Sequence, residues 1–157
     1  MPADSEADPR PGAPSLPHTW RPLGVRIALW IFGGGLIAVV AAVWLLLDPE
    51  IRAQFTMLER ATLVLIGLML FTAYYGLMRS RVTATSGGLT VVNGYRKRTY
   101  EWSQVIGVSL RRGAPWGTVD LSDGTTVSMM GVQGSDGTRA RRAVREIRAT
   151  IAANTPD

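Results

Sequence analysis

Residues able to do chemistry are sparse in this chain. It has no cysteine and one histidine, His18, so disulfides, thiolate catalysis and cysteine-ligated zinc are excluded. The single imidazole lies in a Pro-rich tail. Asp120 and Asp123 are close enough in sequence to suggest a carboxylate pair or a cation site, but Asp123-Gly124 is fully explained by turn chemistry. The expectation is a chain with no catalytic residue, no metal site and no cofactor, and therefore no enzyme. Two tryptophans offer flat aromatic faces. Trp102 opens an apolar segment after a strand and reads as core. Trp116 follows Ala114-Pro115 in a loop, close behind Arg111 and Arg112, and these three residues are the candidates for contact with a protein partner.

Cations are the remaining resource. Lys and Arg together number 17 against 12 acids, for a net charge of +5. Arg79, Arg81, Arg96, Lys97 and Arg98 follow closely on the apolar half of the chain and are the candidates for contact with anionic lipid, each contributing about 1 kcal/mol if it faces the headgroups. Simple solvated charge is the competing reading. Arg139, Arg141, Arg142, Arg145 and Arg148 form a second basic set, but no aromatic interleaving or recognition motif accompanies them, so nucleic acid is not an expected partner.

The elements that would position these side chains divide the chain into regions. Residues 1–23 form a Pro-rich tail that reads as disordered; six of the nine prolines lie in the first 22 residues. Residues 24–81 hold two apolar segments. Ile27 to Leu47 is free of charge over a length of ~31 Å as a helix, about the thickness of a hydrocarbon core, with Trp30 and Trp44 near its ends. Ala61 to Met78 is the second, bounded by Glu59 and Arg60 before it and Arg79 and Arg81 after it. Confinement of charge to the flanks fits an insertion cost of roughly 2.5–3.5 kcal/mol at mid-membrane. Asp48, Pro49 and Glu50 read as the start of the second helix, well ahead of its apolar part. Gly34, Ala38 and Ala42 fall on one face, as do Thr72 and Gly76, and are the candidates for helix packing within the pair or between two copies. Arg21, Arg26, Arg79 and Arg81 flank the pair against Arg52 and Arg60 in the connector, a modest margin that Arg96, Lys97 and Arg98 tip toward both termini in the cytoplasm, so a two-span, multi-pass plasma-membrane protein is the expectation.

From Val82 the pattern becomes short alternating runs separated by turn residues. Val82 to Thr85 and Leu89 to Asn93 flank Ser86-Gly87-Gly88. Asn93-Gly94 suggests a type I′ turn into Arg96 to Tyr100. Ile106, Val108 and Leu110 alternate with Gly107 and Ser109, Val119 and Leu121 with Thr118 and Asp120, and Asp123-Gly124 leads into Thr125 to Met130. Ser135 or Asp136 then caps a helix whose stripe is Ala140, Val144, Ile147 and Ile151. That stripe needs an apolar opening to cover, so a small barrel capped by one helix is the expected architecture over residues 82–153, with 154–157 a disordered end.

The stretches Gly88-Leu89-Thr90-Val91-Val92-Asn93-Gly94-Tyr95-Arg96, Tyr100-Glu101-Trp102-Ser103-Gln104-Val105, Leu121-Ser122-Asp123-Gly124 and Asp136-Gly137-Thr138-Arg139-Ala140 resemble the bacterial pleckstrin-homology (PH) domain of the low molecular weight protein antigen 6 type, found in actinobacterial membrane proteins. The resemblance covers roughly Val82 to Ala153. It implies an α+β PH-like barrel of about seven antiparallel strands in two orthogonal sheets with a C-terminal amphipathic helix, behind a membrane α-hairpin, and it brings no catalytic activity or defined ligand. The hairpin loop Ser86-Gly87-Gly88 lacks the cations that phosphoinositide-binding PH domains carry in their first loop. Two functions follow as expectations: a membrane-anchored binding or scaffold module, whose partner is a membrane or cytoplasmic protein, lipid or a second copy; or an accessory or sensor subunit of a larger envelope or transport complex.

Overall fold

The computed structural model describes residues 12–155 and divides into a helical unit, Leu23–Arg79, and a lobe built from the residues up to Pro22 together with those from Ser80 onward. The expected disorder at 1–11 and 156–157 lies outside the described residues.

In the helical unit, α1 spans Leu23–Leu46, α2 Pro49–Gln54 and α3 Met57–Arg79. At ~1.5 Å per residue α1 and α3 are each ~35 Å long, so both are long and apolar enough to cross a bilayer. No residue of α1 is buried, and Phe32 and Leu46 stand 76% and 85% exposed. Continuous apolar exposure on this scale is foreign to the core helix of a soluble protein. Where the helices meet, a methyl group at Gly33 would come within 2.7 Å of the Tyr74 ring, so Gly33 lets the aromatic side chain approach α1 closely.

The connector departs from the expected single helix beginning at Pro49. Asp48 does stand at the N-cap with Pro49 behind it, although its side chain makes no cap bond, and the helix stops at Gln54. Thr56 and Glu59 then form a reciprocal capping pair: the Thr56 amide donates to Glu59 Oε2 (2.7 Å) and the Glu59 amide to Thr56 Oγ1 (3.3 Å). Such a pair satisfies two otherwise orphaned amides and starts a new helix. Trp44 packs edge-on against Phe55 at 5.5 Å, and the Arg60 guanidinium lies 6.0 Å from the Trp44 ring while donating to the Arg52 carbonyl (2.9 Å).

The lobe holds β1 (His18–Trp20), β2 (Arg81–Thr85), β3 (Gly88–Asn93), β4 (Arg96–Tyr100), β5 (Val105–Ser109), β6 (Trp116–Leu121), β7 (Thr126–Gln133) and α4 (Thr138–Asn154). The strands make two antiparallel sheets, β1-β2-β3-β4 and β5-β6-β7. This is the expected PH-like architecture, but its first strand comes from the stretch read as disordered tail. Three residues suffice for β1 because it sits on the edge, where flanking prolines cost no ladder bond, and because Trp20 is buried in the core.

Register sorts the first sheet into two faces, since directly paired residues share a side. Inward rows are His18, Ala84, Leu89, Tyr100 and Trp20, Val82, Val91, Arg98. On the outward face Thr19, Thr83, Thr90 and Thr99 form one row, with hydroxyl contacts of 3.0 Å at the Thr19–Thr83 and Thr90–Thr99 pairs.

Three local expectations are corrected. The β3–β4 loop is Gly94-Tyr95, with Gly94 at φ 61° in its first position, and not Asn93-Gly94. Asn93 is thereby freed to end β3. A register shift between Val105 and Gly107 breaks the alternation of β5, which buries Val105 and Val108 and leaves Ile106 68% exposed. Neither Ser135 nor Asp136 caps α4; that position is held by Gly137, after a short 3₁₀ turn at Gly134–Asp136.

The α4 stripe is as expected, with Ala140, Val144, Ile147 and Ile151 all in the core. Its polar side is also tied down. Glu146 Oε2 accepts from the Trp20 indole N–H (2.8 Å), its Oε1 pairs with Arg142 (2.8 Å), and Arg148 donates to the Val108 carbonyl (2.8 Å). Partial burial pushes the Glu146 carboxyl up, but the bonds from Trp20 and Arg142 and the charges of Arg142 and His18 outweigh it and hold the group below its ordinary value. A carboxyl depressed by folding contributes stability that is present above its unfolded pKa and lost as pH falls through its folded one. Urea midpoints of the lobe are therefore expected to drop as the pH falls below about 4.3, and Glu146→Gln is expected to flatten that part of the profile. A variant with an unchanged acid limb would remove Glu146 from the account.

Candidate binding surface

The five cations grouped by sequence do not form one patch. Arg79 ends α3, its guanidinium 5.6 Å from the Tyr75 ring. Arg81 opens β2 and shares the outward face with Lys97, both lying across from Val92. Arg96 and Arg98 lie on the other face of β4, opposite Asn93 and Val91. Together with Asn93, Val91, Thr126 and Ser128 they line a cavity of about 240 Å³ between β4 and β7.

Asn93 builds this cavity. Freed from the turn, its side chain donates from Nδ2 to the Ser128 carbonyl (2.6 Å) and accepts at Oδ1 from the Met130 amide (2.9 Å), which pins the end of β3 to β7. The Gly94 amide donates to Ser80 Oγ (3.0 Å), so the β3–β4 turn is fastened to the residue through which the chain returns from the helices. Further along the inward face of β4, Tyr100 is buried, and its hydroxyl has no hydrogen-bond partner among the described residues. Sequence reasoning picked out Arg96 and Arg98 but missed Asn93, Thr126 and Ser128. The turn preference of Asn-Gly masked Asn93, and the two hydroxyl residues carry no motif.

Trp116 is the first residue of β6, half-buried, and not a loop residue. Arg111 and Arg112 are exposed in the preceding turn, which is closed by the Ala114 amide on the Arg111 carbonyl (3.0 Å). Trp102 is core, and its indole N–H reaches the Thr85 and Ser86 carbonyls at 3.1 and 3.2 Å. Asp123 is occupied by its own turn, where bonds from the Thr125 hydroxyl and amide hold its carboxyl below the ordinary value. Asp120 accepts from the Thr126 hydroxyl (2.9 Å). Among the described residues no three His, Cys, Asp or Glu side chains cluster as a metal site would require.

Of the helix-packing candidates, Gly34, Ala38 and Ala42 are exposed, and a methyl group at Gly34 would meet nothing. Thr72 bonds back to the Leu68 carbonyl (2.8 Å), and Gly76 is buried. Gly33, one position away from the stripe read from spacing, is the α1 glycine that Tyr74 approaches.

Residues 79–150 match the family of the bacterial PH domain. The chain is also 33% identical over 141 residues to uncharacterized proteins Mb1452 of Mycobacterium bovis and Rv1417 and MT1460 of Mycobacterium tuberculosis, a span covering 90% of this chain and 89% of each relative. No solved structure matches it. Two antiparallel sheets of four and three strands, a C-terminal helix across them, and similarity to the mycobacterial proteins along nearly the whole length agree with the resemblance carried by the strand and turn residues, and the chain belongs to the bacterial PH domain family.

Proposed function

We propose that this protein is a non-catalytic binding module whose PH-like lobe is held at the cytoplasmic face of the plasma membrane by two spans. One observation carries the reading: β1, which precedes the helices, is hydrogen-bonded to β2, which follows them, with Trp20 opposite Val82. The helical pair is thus an insertion between two neighbouring strands. Both flanks of the insertion must lie on the same side of a bilayer, as two crossings require and one would forbid. Arg21 and Arg26 on one flank and Arg79 and Arg81 on the other favour the cytoplasmic side.

Only Arg21 and Pro22 link β1 to α1, and only Ser80 links α3 to β2. Such short tethers keep the lobe at high effective concentration beside anything in or on the same membrane, so weak intrinsic affinity suffices for function. The same end of the first sheet carries the Gly94-Tyr95 turn with Arg96 and Lys97 after it, within reach of the surface potential of anionic lipid.

The lack of native cysteine makes the test direct. Single cysteines at Ser15, Gln54 and Ser122 are treated in intact cells with a membrane-impermeant maleimide. Gln54→Cys is expected to react, and Ser15→Cys and Ser122→Cys only after lysis. The opposite pattern would put the lobe outside, and labelling at Ser15 and Gln54 together would deny that α1 crosses. Replacing both spans by unrelated apolar helices then separates module from subunit, since a module keeps its partners and a subunit that works through its helices loses them.

A further inference from the structure

Strand β4 breaks its own pattern on the side that faces the core. In the inward row Trp20, Val82, Val91, Arg98, the first three residues are buried to 7%, 0% and 2% exposure, and the fourth is an exposed arginine. Arg96 takes the neighbouring inward position. β7 packs over β2 and β3, and β4 lies beyond them at the sheet edge, so the two guanidiniums occupy core-facing positions that the second sheet leaves open.

A single inward charge is enough to guard an edge strand against pairing with another edge. Two in line, ~7 Å apart along the strand, do more. They stand on one wall of the cavity, with Thr126, Val127 and Ser128 of β7 on the other and Asn93 at the junction, where its side chain occupies the Ser128 carbonyl. Among the described residues no carboxylate forms an ion pair with either guanidinium. Asp120, the acid that reaches this wall, is already hydrogen-bonded to Thr126. Guanidinium forks match oxyanions of fixed geometry, and two of them suit a group with two charges and three terminal oxygens better than a lone carboxylate. The cavity lies below the size range of pockets for drug-sized ligands but has room for a group of that size.

We propose that this cavity binds a phosphomonoester dianion gripped by Arg96 and Arg98. The site is a property of the lobe alone and stands whichever side of the membrane the lobe occupies. Its ligand comes either from solution or from the headgroup of a phosphomonoester lipid in the adjoining bilayer.

The full chain in phosphatidylcholine nanodiscs is dialysed to equilibrium against radiolabelled inorganic phosphate at fixed ionic strength. Saturable uptake is expected, weakened about tenfold or more by Arg96→Ala or Arg98→Ala, with Lys97→Ala, on the opposite face, within about twofold of wild type by the same reasoning. Near-UV circular dichroism checks that each variant is folded. Discs doped with phosphatidic acid, whose headgroup is a monoester, compete with free phosphate if the lipid is the ligand, whereas discs doped with the diester phosphatidylglycerol do not; equal uptake in all three discs assigns the site to a soluble phosphate. No saturable uptake in phosphatidylcholine discs, or a loss in Lys97→Ala as large as that in Arg98→Ala, would overturn the proposal, the second because it would mean diffuse surface charge and no site.

Discussion

Replacing Trp20 by alanine is expected to cost the lobe about 3–5 kcal/mol, a large share of the stability of a domain this size. The residue lies only three positions before α1 begins, yet its indole is 7% exposed in the core and its N–H is bound to Glu146 of α4 (2.8 Å). It holds a three-residue edge strand in place, because His18 and Thr19 are at best half-buried and cannot anchor it. Its loss opens the inward row that it shares with Val82 and leaves Glu146 with Arg142 as its remaining side-chain partner. At roughly 4–8 °C per kcal/mol, the midpoint followed by near-UV circular dichroism should fall by well over 10 °C. Trp20→Phe separates the two contributions: it keeps most of the apolar area and loses only the bond to a carboxylate, about 1.5–3 kcal/mol. If Trp20→Ala melts like wild type, β1 is not an integral strand, and the argument that both flanks of the helical pair share one side falls with it.

Gly131→Ala is the second large effect, and it tests the closure of the two sheets on each other. A methyl group at this position in β7 would lie 2.6 Å from the Arg81 Cα and carbonyl carbon and 2.7 Å from the Val82 nitrogen. These are backbone atoms of β2, so no side chain can swing aside, and the strands themselves must separate. Around them Val82, Met129 and Val132 are 0–2% exposed, and parting the strands loosens all three. A cost at or above the ~1–3 kcal/mol of an overpacked core is expected. Gly87→Ala provides the control, because a methyl group there meets nothing within 4 Å. Equal urea midpoints for the two variants would show that β2 and β7 do not approach as closely as described.

Much of the lobe was legible because its signals are local. Alternation placed β2, β3 and β6, the four stripe residues read for α4 are buried, although Ala143 and Thr150 beside them were not read, and Asp123-Gly124 marked a real turn. What escaped was local structure with tertiary causes. β1 was hidden by the composition around it: prolines on both sides look like a tail, and only Trp20, a costly residue to leave in water, hinted at a buried anchor. The end of β7 was set at Met130, three residues short of Gln133; the isolated Gly131 beyond it marks a close backbone approach. Thr56 and Glu59 spell a capping box that could have split the second helix from sequence alone. The candidate site was half visible. Two arginines two apart on a strand share a face, but whether that face is inward depends on which residues lie across from them, and a bulge in β5 shows how easily such parity is lost.

Because the paired strands β1 and β2 bracket the helices, about sixty residues separate Trp20 from its neighbour Val82 along the chain, and synthesis delivers the first of them well before the second. With the two helices crossing a bilayer as proposed, the opening strand stays unpaired, its indole uncovered, until both have been inserted and the polypeptide has returned. Maturation of the lobe then becomes a readout of correct insertion: a chain whose hairpin fails to return leaves an unfinished sheet, a natural mark for quality-control proteases.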